Sequence, residues 1–325
     1  MKLIFSLVFL LTFGSLKGQD VIDSVLYNHS ISAPENLNED IEELIEYLSQ
    51  VAKTDKQKIQ VISYWITNNI EYDLTGFFSN SYGNSSWANT LITKKAVCQG
   101  YSELFKEFCD LLDIECYLIT GYAKGYGIEP GYSFQETNHA WNIVKINGVY
   151  ELFDLTWASG HSSFYDSSLY VKKLDPKFLF ANPISFVEQH LPGQNRWQLL
   201  NFPVSIDEFE KNVEAEHMID SAGLFYNFSD SIAAYSELDE YDREICDLNK
   251  NYEVLPSELN RALLSYKSGY ILSFGKYDED RFNKSLELFT IALTTYQKPE
   301  YENPSYVENI LQNMEYVKSR LENKK

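Results

Sequence analysis

Basic residues are scarce in this chain: 27 Lys and Arg stand against 47 Asp and Glu, a formal charge of −20. A surface that acidic repels phosphate backbones and anionic lipid, so nucleic-acid binding is disfavoured from the start. Cysteine is scarce as well, with four in 325 residues, at positions 98, 109, 116 and 246. An exported disulfide scaffold is denser and shorter, so these four do not make a framework. Cys109 and Cys116 could pair in an oxidising compartment, although two buried thiols are the favoured reading. Long apolar runs are missing beyond the N-terminus, and no later stretch approaches the ~20 residues that cross a bilayer. No Gly-rich phosphate loop and no His/Cys/Asp/Glu spacing of a metal site is seen, so neither cofactor nor metal is expected.

What the chain does have begins at its first residues. Met1-Lys2 precedes an apolar run from Leu3 to Phe13 and then Gly14-Ser15-Leu16-Lys17-Gly18. That run is too short for a spanning helix and suits a signal-peptide core. Residues 1–18 are therefore expected to be a signal peptide cut after Gly18, with a cut after Ser15 or an uncleaved anchor as alternatives. The expected location is secreted or periplasmic. Hydrophobic residues make up 44% and aromatics 15%, enough to bury a sizeable core in one or two domains.

Periodicity divides the remainder in two. Apolar residues at 41, 44, 45, 48 and 51 form a helical stripe over Asn38–Val51, and Lys56–Ile70 repeats the pattern. Thr75–Asn89, rich in Ser, Asn and Gly, reads as an irregular loop. Cys98–Leu112 is a third helix with Tyr101, Phe105, Phe108 and Leu112 on its inner side. Strands are expected at Tyr117–Tyr122, His139–Ile146 and Val149–Leu155, with a Gly-rich loop at Lys124–Glu136. From about Ser205 the pattern turns wholly helical, at 206–220, 228–249, 256–273, 279–297 and 304–322. The fold class is thus α+β at 19–204, followed by a helical domain at 205–325. Small and aromatic residues there give a faint tetratricopeptide-like look without a clean repeat, so plain helical packing is the default.

Chemistry concentrates in the first part. Cys98 stands where a loop becomes a helix, so the free N–H groups of the helix start favour its thiolate. His139–Ile146 and Val149–Asp154 flank Asn147-Gly148, a strong type I′ hairpin signal. With those two residues as the turn, paired positions sum to 295, and His139, Trp141 and Asp154 share one face. His139 and Asp154 then lie diagonally across the ladder, close enough for a hydrogen bond. A base with its orienting carboxylate beside a helix-start cysteine is a nucleophilic arrangement. Taken singly, each residue has a plainer reading: a buried structural thiol, a satisfied core histidine and a strand-end cap.

The segments WITNNIEYD (65–73), AVCQGYSELFKEFCDLL (96–112), NHAWNIV (138–144) and LFDLTWASG (152–160) resemble a transglutaminase-like core. LDPKFLF (174–180), QHLP (189–192) and WQLL (197–200) narrow the resemblance to bacterial relatives of the kyphoscoliosis-peptidase branch. It covers roughly 38–205. It implies a papain-like fold, with a nucleophile helix on an antiparallel sheet, and Cys98, His139 and Asp154 as nucleophile, base and third member. Its active members share a thioester acyl-enzyme and differ in the acceptor. Trp141, Trp157 and Gln99 are candidates for the substrate groove, each with a packing or helix-start role as the plainer alternative. His161 is read as exposed, and His190 has no derived role.

Two functions follow. One is an exported thiol hydrolase or acyltransferase acting on protein or peptide amides. The other is a non-catalytic interaction module that retains the three residues and offers its helical tail to a protein partner.

Overall fold

A computed structural model of the chain describes residues 22–79, 85–129, 131–162, 169–211, 225–274 and 276–323. The signal peptide expected at 1–18 lies outside them. Three helices open the described chain: α1 (Ser24–Ile31), α2 (Ile41–Ser49) and α3 (Asp55–Asn69). Asp40 accepts the Glu42 and Glu43 N–H groups to start α2, and Thr54 accepts from Gln57 to start α3. α3 buries Ile59, Ile62, Trp65 and Ile66, the stripe its spacing predicts.

Next come β1 (Glu71–Tyr72), α4 (Leu74–Ser79), α5 (Trp87–Thr93), β2 (Lys95–Ala96) and α6 (Cys98–Leu111). The stretch expected to be irregular loop therefore carries α4 and the start of α5. Each is a short turn begun by a polar side chain, Asp73 accepting from Gly76 and Ser86 from Asn89, too short to show a period. α6 begins at Cys98 as predicted. Tyr101, Leu104, Phe105 and Phe108 lose all solvent contact along one face, each worth roughly 1.5–3 kcal/mol.

α6 packs on a sheet formed by β3 (Cys116–Ala123), β4 (His139–Ile146), β5 (Val149–Phe153), β8 (Leu179–Ala181) and β9 (His190–Pro192). The strand order is β8-β5-β4-β3-β9 and every pairing is antiparallel. Between its strands lie α7 (Leu155–Ser159), the small pair β6 (Gly160–Ser162) and β7 (Tyr170–Lys172), and α8 (Pro183–Val187). The β4–β5 hairpin has the predicted register, Ile146 opposite Val149 and Asn142 opposite Phe153. Asn147 and Gly148 have φ of 52° and 80°, the paired positive values that a type I′ turn demands. β5 stops at Phe153, one residue before Asp154, because Asp154 turns the chain and caps α7. Cys109 and Cys116 are buried as free thiols.

Beyond 204 every described element is a helix: α9 (Ile206–Glu210), α10 (Phe228–Ser236), α11 (Glu240–Val254), α12 (Glu258–Leu272), α13 (Glu279–Tyr296) and α14 (Pro304–Asn323). The long helix expected over 228–249 is broken at 237–239, where Asp239 accepts from Asp242 and starts α11 afresh. Of the helix expected at 206–220, Ile206–Glu210 is present and 212–220 falls outside the described residues. Ile232 and Tyr235 join the core around the sheet, whereas α12, α13 and α14 enclose an apolar cluster of their own around Phe282 and Phe289. Among the described residues no helix is long and apolar enough to cross a membrane.

Candidate active site

Three elements meet at one point. α6 presents Cys98 from its first residue, β4 presents His139 from its first, and Asp154 follows the last residue of β5. No side chain caps the α6 N-terminus, since its preceding residue, Val97, has no polar group. The first N–H groups of that helix are thus left to act on whatever lies at Cys98.

Asp154 is wholly buried and saturated with donors. Its Oδ1 accepts the Thr156 and Trp157 N–H groups at 2.9 and 3.1 Å. Its Oδ2 accepts His139 Nε2–H at 2.8 Å and His190 Nε2–H at 2.9 Å. Burial alone would raise the carboxyl pKa. The His139 charge and the two imidazole hydrogen bonds overcome that, and the group is held well below the usual carboxylate range. The two oxygens have separate partners: Oδ1 caps α7, and Oδ2 holds the two imidazoles.

An ionised carboxylate only accepts, so both imidazoles donate from Nε2. His139 is left with Nδ1 turned from Asp154, and its ring is near enough to Cys98 for the thiol and the imidazole to shift each other's pKa. Burial works against the imidazolium, but Asp154 and the thiol pull the other way and raise the His139 pKa to about 10. The Cys98 thiol shows the complement. Burial raises its pKa, while the His139 hydrogen bond, the His139 charge and the Ala140 N–H outweigh it, so the net shift is downward. Both shifts run in the direction of a thiolate–imidazolium pair.

His190 went without a role in the sequence because β9 is three residues long and shows no period. It is buried against the site, stacked on Phe186 at 4.1 Å between ring centroids and set edge-on to Trp157 at 4.3 Å. Burial lowers its pKa in spite of Asp154, which leaves it a neutral donor. Its ligand type offers the one signal available: a histidine among apolar neighbours, next to Leu191-Pro192, needs a buried acceptor. His139, Asp154 and His190 together have the donor types of a metal site. Their hydrogen bonds of 2.8 and 2.9 Å close directly on Oδ2, so a cation would have to displace both Nε2 protons.

The remaining candidates scatter. Trp141 is 1% exposed and packs behind the histidines against Phe186, in the core and not in an open groove. Trp157 is half-buried with its ring 5.6 Å from that of His139, so it does flank the site. Gln99 turns down its helix and donates to Glu103 at 2.8 Å. His161 lies exposed on β6.

Comparison with known proteins places the stretch that holds these residues in a known context. Residues 42–155 match the family model of the transglutaminase-like superfamily. The chain is similar to the human kyphoscoliosis peptidase, 35% identical over 174 residues, which are 53% of this chain and 26% of that protein. Over 179 residues it is 29% identical to the Lim and transglutaminase domain protein ltd-1 of Caenorhabditis elegans, covering 52% of this chain and 24% of that one. Hillarin of Drosophila melanogaster is 27% identical over 194 residues, 56% of this chain and 23% of its own. The chain thus spans about a quarter of the length of these relatives. The match over 42–155 supports the transglutaminase-like superfamily for this stretch, and the similarity to the kyphoscoliosis peptidases supports that branch of it.

Proposed function

We propose that this chain is an exported thiol enzyme that cleaves or transfers amide groups of proteins or peptides through a thioester on Cys98. The observation that carries the proposal is the setting of His139: Nε2 is tied to the buried Asp154 carboxylate, and the same ring is near enough to Cys98 to pull the thiol pKa down. In this reading the thiolate attacks the amide carbonyl, a C–S bond forms, and the C–N bond breaks as the imidazolium protonates the leaving amine. Water or a second amine then attacks the thioester, gives its proton to His139 and frees the sulfur. The uncapped start of α6 supplies N–H donors for the oxyanion. Residues 19–204 would form the catalytic domain, with 205–325 as a helical domain beside it, and export would follow from residues 1–18.

The test is alkylation of Cys98 by iodoacetamide as a function of pH. Half-maximal rate is expected well below the ~8.5 of a free thiol, with His139→Ala returning it toward that value. Ordinary thiol behaviour in the unaltered chain would sink the catalytic reading and favour the non-catalytic module. A panel of peptide amides, with and without added amine, then separates hydrolysis from transfer.

A further inference from the structure

Two aromatic rings from distant parts of the chain stand half in solvent, each on a segment that is tied by contacts to the candidate site. Phe78 on α4 is 50% exposed and Tyr126, in the β3–β4 loop, is 59% exposed. They touch edge to face at 5.5 Å and 84°. One ring's segment is tied to the strand before Cys98 and the other's to the indole beside His139. On the nucleophile side, β1 pairs with β2, the Asp73 N–H donates to the Ala96 carbonyl at 2.9 Å, and Ala96 is two residues before Cys98. α4 starts there, with Asp73 accepting the Gly76 N–H at 3.0 Å, and carries Phe78 with Phe77 packed at 5.4 Å. On the base side, Gly125 lies against Trp157, where an added Cβ would come within 3.2 Å of the indole. That indole is the one beside the His139 ring. The Lys124 N–H also bonds the Gln189 carbonyl at 3.0 Å, next to His190.

Contacts therefore run in a closed circuit from Cys98 through Ala96, Asp73, Phe78, Tyr126, Gly125 and Trp157 to His139. We infer that Phe78 and Tyr126 form a substrate subsite beside the reacting pair, which takes an apolar side chain next to the reacting amide. This rests on the thiol-enzyme reading and adds to it the class of peptide accepted. Continuity with the site argues for the occupant: the segments that carry the two rings are tied to Ala96, two residues before Cys98, and to Trp157 beside His139, so a peptide held for attack by Cys98 is the ligand that would lie along them. Their facing surfaces carry no charge and the Tyr126 hydroxyl is the one polar atom on either ring, so an aliphatic or aromatic residue gains and a polar one loses. A pocket of this kind discriminates by about 10-fold or more between side chains that differ by a few apolar carbons.

The test uses two peptidyl chloromethyl ketones identical except for Phe or Ser at the residue before the reacting one. Each labelling rate at Cys98 is divided by the iodoacetamide rate of the same variant, so intrinsic thiol reactivity cancels. The unaltered chain is expected to prefer the Phe probe by about 10-fold or more, and Phe78→Ala and Tyr126→Ala to bring the two probes within about 3-fold. Both rings are half exposed, so the variants should melt with the parent. Absence of a preference in the parent, or an unchanged preference in both variants, overturns the subsite while leaving Cys98 as a nucleophile. Preference reversed to Ser would place a polar pocket there and overturns it equally. A Cys98 that iodoacetamide labels no faster than a free thiol overturns the reading beneath it, and the subsite falls with that.

Discussion

One carboxylate oxygen of Asp154 serves two imidazoles, and the consequences differ for the two. His139 needs the charge, because its imidazolium is buried and forms only against a partner. His190 gives a neutral N–H to the same oxygen, so in the proposed reaction it would act through Asp154 and not on the substrate. Asp154→Asn keeps the shape but loses the charge and confuses the tautomer, which in serine enzymes costs ~10⁴ in turnover. Acylation of Cys98 is expected to fall less here, by about 10- to 10³-fold, because a thiolate–imidazolium pair needs less help. Single-turnover labelling beside a thermal melt measures it, and unchanged reactivity with an unchanged melt would reduce Asp154 to a helix cap. The lowered pKa of Asp154 stabilises the fold at pH above the ~3.9 of an unfolded aspartate and is lost as pH falls through its lower folded value. The variant's melt should accordingly depend less on acid. For His190→Ala we expect a loss of about 1–3 kcal/mol and a shift in the pH profile of Cys98 alkylation, both partly restored by His190→Gln, which keeps a donor. A melt that falls while the profile stays fixed would make His190 structural alone.

At the scale of elements, legibility followed sequence distance. The β4–β5 hairpin and α6 were readable because their signals are local: a two-residue turn with positive φ at both positions, and an apolar stripe over four turns. The diagonal placement of His139 and Asp154 came from that register alone. β9 was not readable, since three residues carry no period and their partner, β3, lies some seventy positions earlier. What seats β9 is Gly121, opposite Pro192. A Cβ on Gly121 would lie 2.3 Å from the Leu191 carbonyl oxygen and 2.5 Å from the Trp141 ring. Neither neighbour is a loose side-chain end, so the strand itself must give way. Gly121→Ala is expected to cost about 1–3 kcal/mol and to slow Cys98 alkylation, because the displaced strand takes His190 off Asp154. Calorimetry with the iodoacetamide assay reads both effects. If stability falls but alkylation holds, β9 supports the fold without supporting the site.

Across the whole molecule, the helices beyond 204 do not all relate to the sheet in the same way. Tyr235 on α10 packs edge-on to Trp197 at 5.4 Å and shares the core around the sheet, and the Ser257 hydroxyl before α12 donates to the Gln135 carbonyl at 2.7 Å, four residues before His139. Composition could flag the change of character at about 205 but not this junction, because its contacts pair polar residues that have no spacing in common. Asp247 on α11 is its hub. It accepts from Gln194 at 2.7 Å and from the Tyr235 hydroxyl at 2.8 Å, so one carboxylate ties the segment after β9 to α10 and α11. Burial raises its pKa, against the Gln194 and Tyr235 hydrogen bonds and the Arg196 and Arg243 charges. A carboxyl with a raised folded pKa contributes stability below the ~3.9 of the unfolded group, and that contribution is lost as pH climbs through the folded value. Asp247→Asn should therefore match or exceed the parent's stability at pH 7, since it removes a poorly solvated charge and keeps an acceptor. Asp247→Ala leaves Gln194 and Tyr235 without their acceptor and should cost about 1–3 kcal/mol. Chemical unfolding followed by tryptophan fluorescence, to which Trp197 contributes from beside Tyr235, and by far-ultraviolet circular dichroism, which the helices dominate, gives the decisive comparison. Coincident transitions in the parent that separate in Asp247→Ala are expected if this carboxylate couples the two parts. If the alanine variant melts with the parent, the coupling belongs to the apolar contacts around Tyr235, and Asp247 is a passenger at the junction.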